Sequence, residues 1–144
     1  MKAGMFALLT LVLISFAPIV QPSFAYTIKC TTDFSATPTN QTVYTNETTP
    51  ASISYSASVS SCAKRASSQL MSLSVSITSP SGTITTMMGL SPNSGMIKLN
   101  DTQLLQHGTW RLKLTWEYKV ETTNGLIQFY YGHAKSTVTS KIGT

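Results

Sequence analysis

The chain has 144 residues and a net charge of +5, from ten Lys and Arg against five Asp and Glu, with only two Cys and two His. The basic residues are scattered along the sequence, whereas nucleic-acid binders concentrate them on one face, so we expect no nucleic-acid partner. The 20 Ser and 22 Thr residues favour strands, turns and solvated sheet faces over helices.

The N-terminus has the pattern of an export signal. A positive second residue precedes an apolar run over residues 5–17, and Ser23 and Ala25 occupy the −3 and −1 positions that a signal peptidase recognises. The run is shorter than the roughly 20 residues of a membrane span. We therefore expect Met1–Ala25 to be a signal peptide, with a retained anchor as the alternative, and 26–144 to be a single domain without a membrane span. The location is then secreted: periplasmic, cell-surface or extracellular.

Short strand patterns follow one another with almost no helical periodicity. Apolar and polar residues alternate, or extended segments occur, between turns rich in Pro, Gly, Asn and Ser. A single helical turn is predicted over residues 101–106. The strand segments are 26–34, 41–44, 51–61, 70–78, 83–88 and 96–99, followed by a final hairpin. The succession predicts an all-β fold, an antiparallel Ig-like β-sandwich of about seven or eight strands with one disulfide.

The stretch GTWRLKLTWEYKVETTNG, residues 108–125, opens that hairpin. Large apolar side chains fall on every second residue, which predicts that Trp110, Trp116 and Tyr118 belong to the core. Arg111 and Lys113 fall on the opposite, outward parity.

The dipeptide Asn124-Gly125 suits a two-residue type I′ turn. A turn centred there pairs residues whose numbers sum to 249. This register turns Ile127, Phe129 and Tyr131 inward with His133, and it places Tyr130 outward beside Lys119. The register is strongly specified, because a slip of one residue moves every side chain to the other face.

Two cysteines in an exported chain predict a disulfide between Cys30 and Cys62. The pair is centred on residue 46, inside the predicted turn TNETTP. Antiparallel strands that fold back there bring the two sulfurs together, and closing the loop stabilises the domain by about 3–4 kcal/mol.

The residues that chemistry requires are sparse. No acid pair lies close together in an apolar context, no Gly-X-Ser-X-Gly motif occurs, and no metal or phosphate motif occurs. We therefore expect no enzyme, no cofactor and no metal site. Three Asn-X-Thr sequons, at Asn40, Asn46 and Asn100, are candidate glycan acceptors if the cell that exports the chain glycosylates.

Several segments resemble known families. SATPTNQTVYTNETTPASISYSASVSS, ITSPSGTITTMM and GTWRLKLTW resemble parts of bacterial Ig-like modules, which implies a sandwich fold. The early disulfide between neighbouring strands is similar to that of chaperone–usher pilin subunits, which implies a fibre subunit. The end of the chain, HAKSTVTSKIGT, departs from the pilin pattern because it lacks a penultimate Tyr.

These observations predict an exported, non-catalytic module that binds a protein or glycan at the cell surface or outside the cell. The alternatives are a structural subunit of a surface fibre and a small protease inhibitor that uses the loop CAKRASSQ. The predicted contact residues are Lys64 and Arg65 in that loop, with Arg111, Lys113, Lys119 and Tyr130 on the final hairpin.

Overall fold

The computed structural model describes residues 27–45 and 50–143. The predicted signal peptide and Asn46 lie outside these residues. Eight strands in the described part form two sheets that pack face to face, as the all-β prediction requires. The strands are β1 (Thr31–Thr37), β2 (Asn40–Tyr44), β3 (Ala51–Ser60), β4 (Ser67–Thr78), β5 (Ile84–Met87), β6 (Ser94–Leu99), β7 (Gly108–Glu121) and β8 (Ile127–Lys141).

A three-stranded sheet has the order β1-β3-β6, and a five-stranded sheet has the order β2-β8-β7-β4-β5. All pairs are antiparallel except β2 with β8. The short helix α1 (Asp101–Leu104) links β6 to β7 and begins with a capping box between Asn100 and Gln103. The predicted helical turn is therefore confirmed.

The disulfide prediction is also confirmed. Cys30 and Cys62 are bonded, with their Cα atoms 3.9 Å apart. β1 and β3 pair antiparallel beside the bond, with Thr31 opposite Ser60. The chain between them does more than fold back. After β1 it leaves the three-stranded sheet at Pro38, and β2 joins the five-stranded sheet by pairing parallel with the end of β8. The sequence predicted only that this segment is extended.

The core lies between the sheets and is centred on the two tryptophans, which are buried as predicted. The indole N–H of Trp116 donates to the Pro92 carbonyl at 3.0 Å, and that of Trp110 donates to the Gln106 carbonyl at 3.1 Å. Two rings from the three-stranded sheet pack on Trp116, Phe34 at 5.2 Å and Tyr55 at 6.3 Å between ring centroids. Burying indoles with their N–H groups satisfied joins the two layers without leaving an unpaired donor.

The register of the β7–β8 hairpin differs from the prediction by one residue. Paired residue numbers sum to 248, so that Trp116 faces Gly132 and Tyr118 faces Tyr130. The N–H of Gly125 donates to the Thr122 carbonyl, and the N–H of Thr122 donates to the Leu126 carbonyl. Gly125 has a φ of +89°. This is a three-residue loop, a turn followed by a left-handed glycine, and it shifts the register relative to a two-residue turn.

No helix in the described part of the chain is long and apolar enough to cross a membrane.

Candidate functional site: the outer face of the terminal hairpin

The one-residue shift exchanges the two faces of the first half of β8. Ile127, Phe129 and Tyr131 were predicted to face inward, but they are 47%, 53% and 59% exposed. Each lies opposite an outward residue of β7: Ile127 opposite Glu121, Phe129 opposite Lys119, and Tyr131 opposite Glu117. We call these three β8 residues, with Glu117 and Lys119, the hairpin face.

Tyr130 takes the position that was expected for the apolar side chains. The prediction that it faces outward is wrong: Tyr130 is half-buried and stacks on Tyr118 at 5.5 Å between centroids. Its hydroxyl accepts the backbone N–H of Ile28 at 3.0 Å and donates to Oε1 of Gln128. Tyr130 thus packs on the inner side of the hairpin and bonds β8 to Ile28, which lies just before β1. Burial and the neighbouring Tyr130 raise the pKa of Tyr118.

The prediction for His133 is corrected by the same shift. Its side chain is exposed and pairs across the strands with Thr115, whose hydroxyl is 3.4 Å from Nδ1. In the described residues no three His, Cys, Asp or Glu side chains gather as a metal site.

A cross-strand hydrogen bond joins two residues of the hairpin face. The Tyr131 hydroxyl donates to Oε2 of Glu117 at 3.3 Å, which fixes that ring along the strand above β7. A cavity of about 330 Å³ opens beside Phe129, lined by Thr27, Gln128, Phe129 and Tyr130. Nε2 of Gln128 is buried without a hydrogen-bond partner among the described residues. A large aliphatic and two aromatic side chains on successive outward positions form an apolar patch of the kind that marks contact sites.

The predicted basic residues lie elsewhere on the same outer surface. Arg111 and Lys113 are exposed on β7, and Lys135 faces Lys113 from β8. They line a shallow cavity of about 410 Å³. We call Arg111, Lys113 and Lys135 the basic end, since they lie at the end of the hairpin away from its loop. Lys119 belongs to the hairpin face.

Lys64 and Arg65 lie outside the strands, just before β4, whose first residue Ser67 pairs with Glu121 of β7. They are exposed in a 3₁₀ turn, Ala63–Arg65, just after the disulfide. Both have a φ of 56°. A segment that imitates a protease substrate is extended, so this curled backbone does not favour the inhibitor hypothesis.

Two sequons lie on the described surface. Asn40 begins β2, and its Oδ1 accepts from the Thr137 hydroxyl. Asn100 is the N-cap of α1, where its Oδ1 accepts the Gln103 N–H at 2.8 Å. Their use as glycan acceptors stays a prediction.

One solved structure similar to this chain is that of AggA, the major subunit of aggregative adherence fimbriae type I from Escherichia coli. The two are 15% identical, the match covers 81% of this chain and 99% of that chain, and the TM-score is 0.48. No protein-family model and no curated protein sequence matches the chain.

Proposed function

We propose that this chain is an exported, non-catalytic module that binds a protein partner through its hairpin face. The observation on which this rests is the exposure of Ile127, Phe129 and Tyr131 on consecutive outward positions of one strand. Aromatic side chains on a rigid ladder lose little conformational entropy when they are covered, and they dominate the energetics of protein interfaces. Glu117 and Lys119 supply the polar border that such patches need.

A protein partner fits the hairpin face better than a glycan does. Ile127 and the exposed Leu126 add aliphatic area beside the rings, and aliphatic side chains offer neither the flat stacking surface nor the hydrogen bonds that sugars need. The charges on the face have both signs, which suits a mixed protein surface.

The test uses two variants of the full chain. Phe129→Ser with Tyr131→Ser removes the rings, whereas Ile84→Ser removes an equally exposed apolar side chain (65%) from β5 at the far edge of the same sheet. Proteins secreted or displayed by the source culture are screened on the immobilised chain, and each hit is measured again as a purified protein. We expect the double variant to weaken binding by about 2 kcal/mol, roughly thirtyfold in Kd, and Ile84→Ser to leave it unchanged.

Equal binding by the wild type and the double variant contradicts the proposal, and so does a surface that binds glycans alone. Melting temperatures of the three proteins serve as the control, because all three substitutions are at exposed positions and we expect the fold to be kept.

A structural subunit of a surface fibre is the second candidate. The observation that favours it is an unpaired side of β8: β2 covers only residues 137–141, so that residues 127–136 have no strand beside them in the described part of the chain. A fibre of such subunits runs as an SDS-resistant ladder when unheated, and a single band under those conditions contradicts this candidate.

A further inference from the structure

We infer that the chain forms a closed, two-fold dimer in which the free side of β8 pairs antiparallel with the same segment of a second copy. This goes beyond the proposed function, because the hairpin face stays open on the outer surface of the joined sheet. Three observations lead to it: the direction of the backbone groups, the side chains along the edge, and the distribution of charge.

The backbone groups of β8 alternate between its two sides. The N–H of Thr137 donates to the Thr39 carbonyl, and the Lys141 carbonyl accepts the Thr45 N–H. Odd-numbered residues therefore direct their N–H and C=O toward β2, and even-numbered residues direct theirs toward β7. Upstream of residue 137, the odd residues from 127 to 135 direct five N–H and five C=O groups to the free side, where no described strand pairs with them.

The free segment has few of the devices that protect sheet edges, since Lys135 near its end is its one Lys or Arg. It contains no proline, and its inward residues Gln128, Tyr130, Gly132 and Ala134 are uncharged. Natural proteins blunt exposed edges with Pro, Lys along the edge, inward charges, bulges or very short strands. A sparsely protected edge with exposed aromatic residues along it is a site for strand addition.

Charge selects a second copy in antiparallel orientation. The outer surface of the hairpin is basic at the end away from the loop, where Lys113 and Lys135 form a cross-strand pair. At the loop end it carries Glu121, which is paired with Ile127. Antiparallel pairing about Tyr131 places Lys135 of the first copy opposite Ile127 of the second copy. Glu121 of the second copy pairs with that Ile127, so it lies across the joined sheet from Lys135 of the first copy. Parallel pairing would place the basic ends side by side, which is unfavourable.

The register follows if residues 127–135 of one copy overlap fully with residues 127–135 of the other. Paired numbers then sum to 262, so that Tyr131 faces its own copy, and Phe129 faces His133 of the second copy. Odd residues face odd residues throughout, and each such pair exchanges two backbone hydrogen bonds. Four aromatic side chains, two from each copy, then lie together on the outer surface at the two-fold axis.

Cysteine cross-linking of the full chain tests this register. Directly opposite residues of a hydrogen-bonded antiparallel pair have Cα atoms about 5.5 Å apart, which is within the range that disulfides span. We expect Tyr131→Cys to give a cross-linked dimer at least about tenfold faster than Lys113→Cys, which is exposed on β7 away from the edge. A mixture of Phe129→Cys and His133→Cys should form the mixed dimer faster than either variant alone cross-links.

The mass of the unsubstituted chain in solution is the second measurement. A dimer together with the cross-linking pattern supports the inference. A monomer at all concentrations, cross-linking of Tyr131→Cys no faster than the control, or a ladder beyond the dimer overturns it. A monomer that still binds its partner through Phe129 would overturn the dimer and leave the proposed function standing.

Discussion

Replacing Gly132 by alanine tests how β1 and β8 pack against each other. A Cβ atom built on Gly132 lies within 3.0 Å of the Phe34 ring, a separation that real Cβ atoms do not show. The ring has little room to retreat, because its centroid is 5.2 Å from that of Trp116 and 5.9 Å from that of Tyr118.

The expected cost follows from two opposing effects. Overpacking a filled core costs about 1–3 kcal/mol, whereas replacing a strand glycine by alanine gains about 0.5–1 kcal/mol. Because the Phe34 ring has little room to move, we take the upper part of the overpacking range, and we expect Gly132→Ala to lower the free energy of unfolding by about 1–2 kcal/mol. Urea unfolding followed by tryptophan fluorescence measures this directly, since Trp116 lies against the same ring.

The matched control is His133→Ala, one residue further along β8 and exposed on the opposite face, where we expect a change within about 0.5 kcal/mol. Phe34→Leu makes room for the new methyl group. In that background Gly132→Ala should cost less by at least about 0.5 kcal/mol, as expected for residues in contact. A neutral Gly132→Ala, or strict additivity of the two changes, would refute the packing of Phe34 on β8.

Three further changes have definite outcomes. Replacing Cys30 and Cys62 by alanine opens a loop with a sequence separation of 32 and should lower the free energy of unfolding by about 3–4 kcal/mol; a urea midpoint shift worth less than about 1 kcal/mol contradicts this. Burial and the neighbouring Tyr130 raise the pKa of the Tyr118 hydroxyl in the folded protein, so the unfolded chain loses the hydroxyl proton at a lower pH than the folded protein does. The stabilisation from protonated Tyr118 is therefore complete below about pH 10 and is lost as the pH rises through the pKa of the folded protein. Tyr118→Phe should flatten that alkaline loss, and identical stability profiles for the variant and the wild type would count against this reasoning. Asn100→Ala removes the capping box of α1 and should cost about 1 kcal/mol, so an unchanged melting temperature argues against the cap.

The strand framework could be predicted because most strands have one buried face. In β7 the even-numbered residues from Trp110 to Trp116 are buried and their neighbours are exposed or half-buried, so alternation alone identifies the inward side. The disulfide was predictable for a related reason, since Cys30 and Cys62 lie just outside two strands that pair antiparallel.

The hairpin register could not be predicted from the turn. Asn124-Gly125 fits the middle of a two-residue loop, and it also fits the last two positions of a three-residue loop that ends on a left-handed glycine. The alternation upstream of Tyr131 favoured the wrong choice, because the exposed side chains of the hairpin face and the buried core side chains are both apolar.

A signal for the right register lies further along β8. Val138 is buried on the even parity, with Ser136 and Ser140, whereas Phe129 is on the odd parity. A continuous strand without a bulge cannot turn both inward, so one set had to be exposed. The path of β2 into the other sheet had no comparable signal, since its five residues do not specify a partner.

Contacts between Hα protons across β7 and β8 show most directly which side of β8 faces solvent. Odd-numbered pairs of this hairpin are not hydrogen-bonded to each other, and such pairs bring Cα atoms to about 4.5 Å. The structure pairs Glu117 with Tyr131 and Lys119 with Phe129, so nuclear Overhauser effects between these Hα protons should be strong. Strong effects between Tyr118 and Tyr131 instead would mean the register that sums to 249, an inward Tyr131, and no hairpin face.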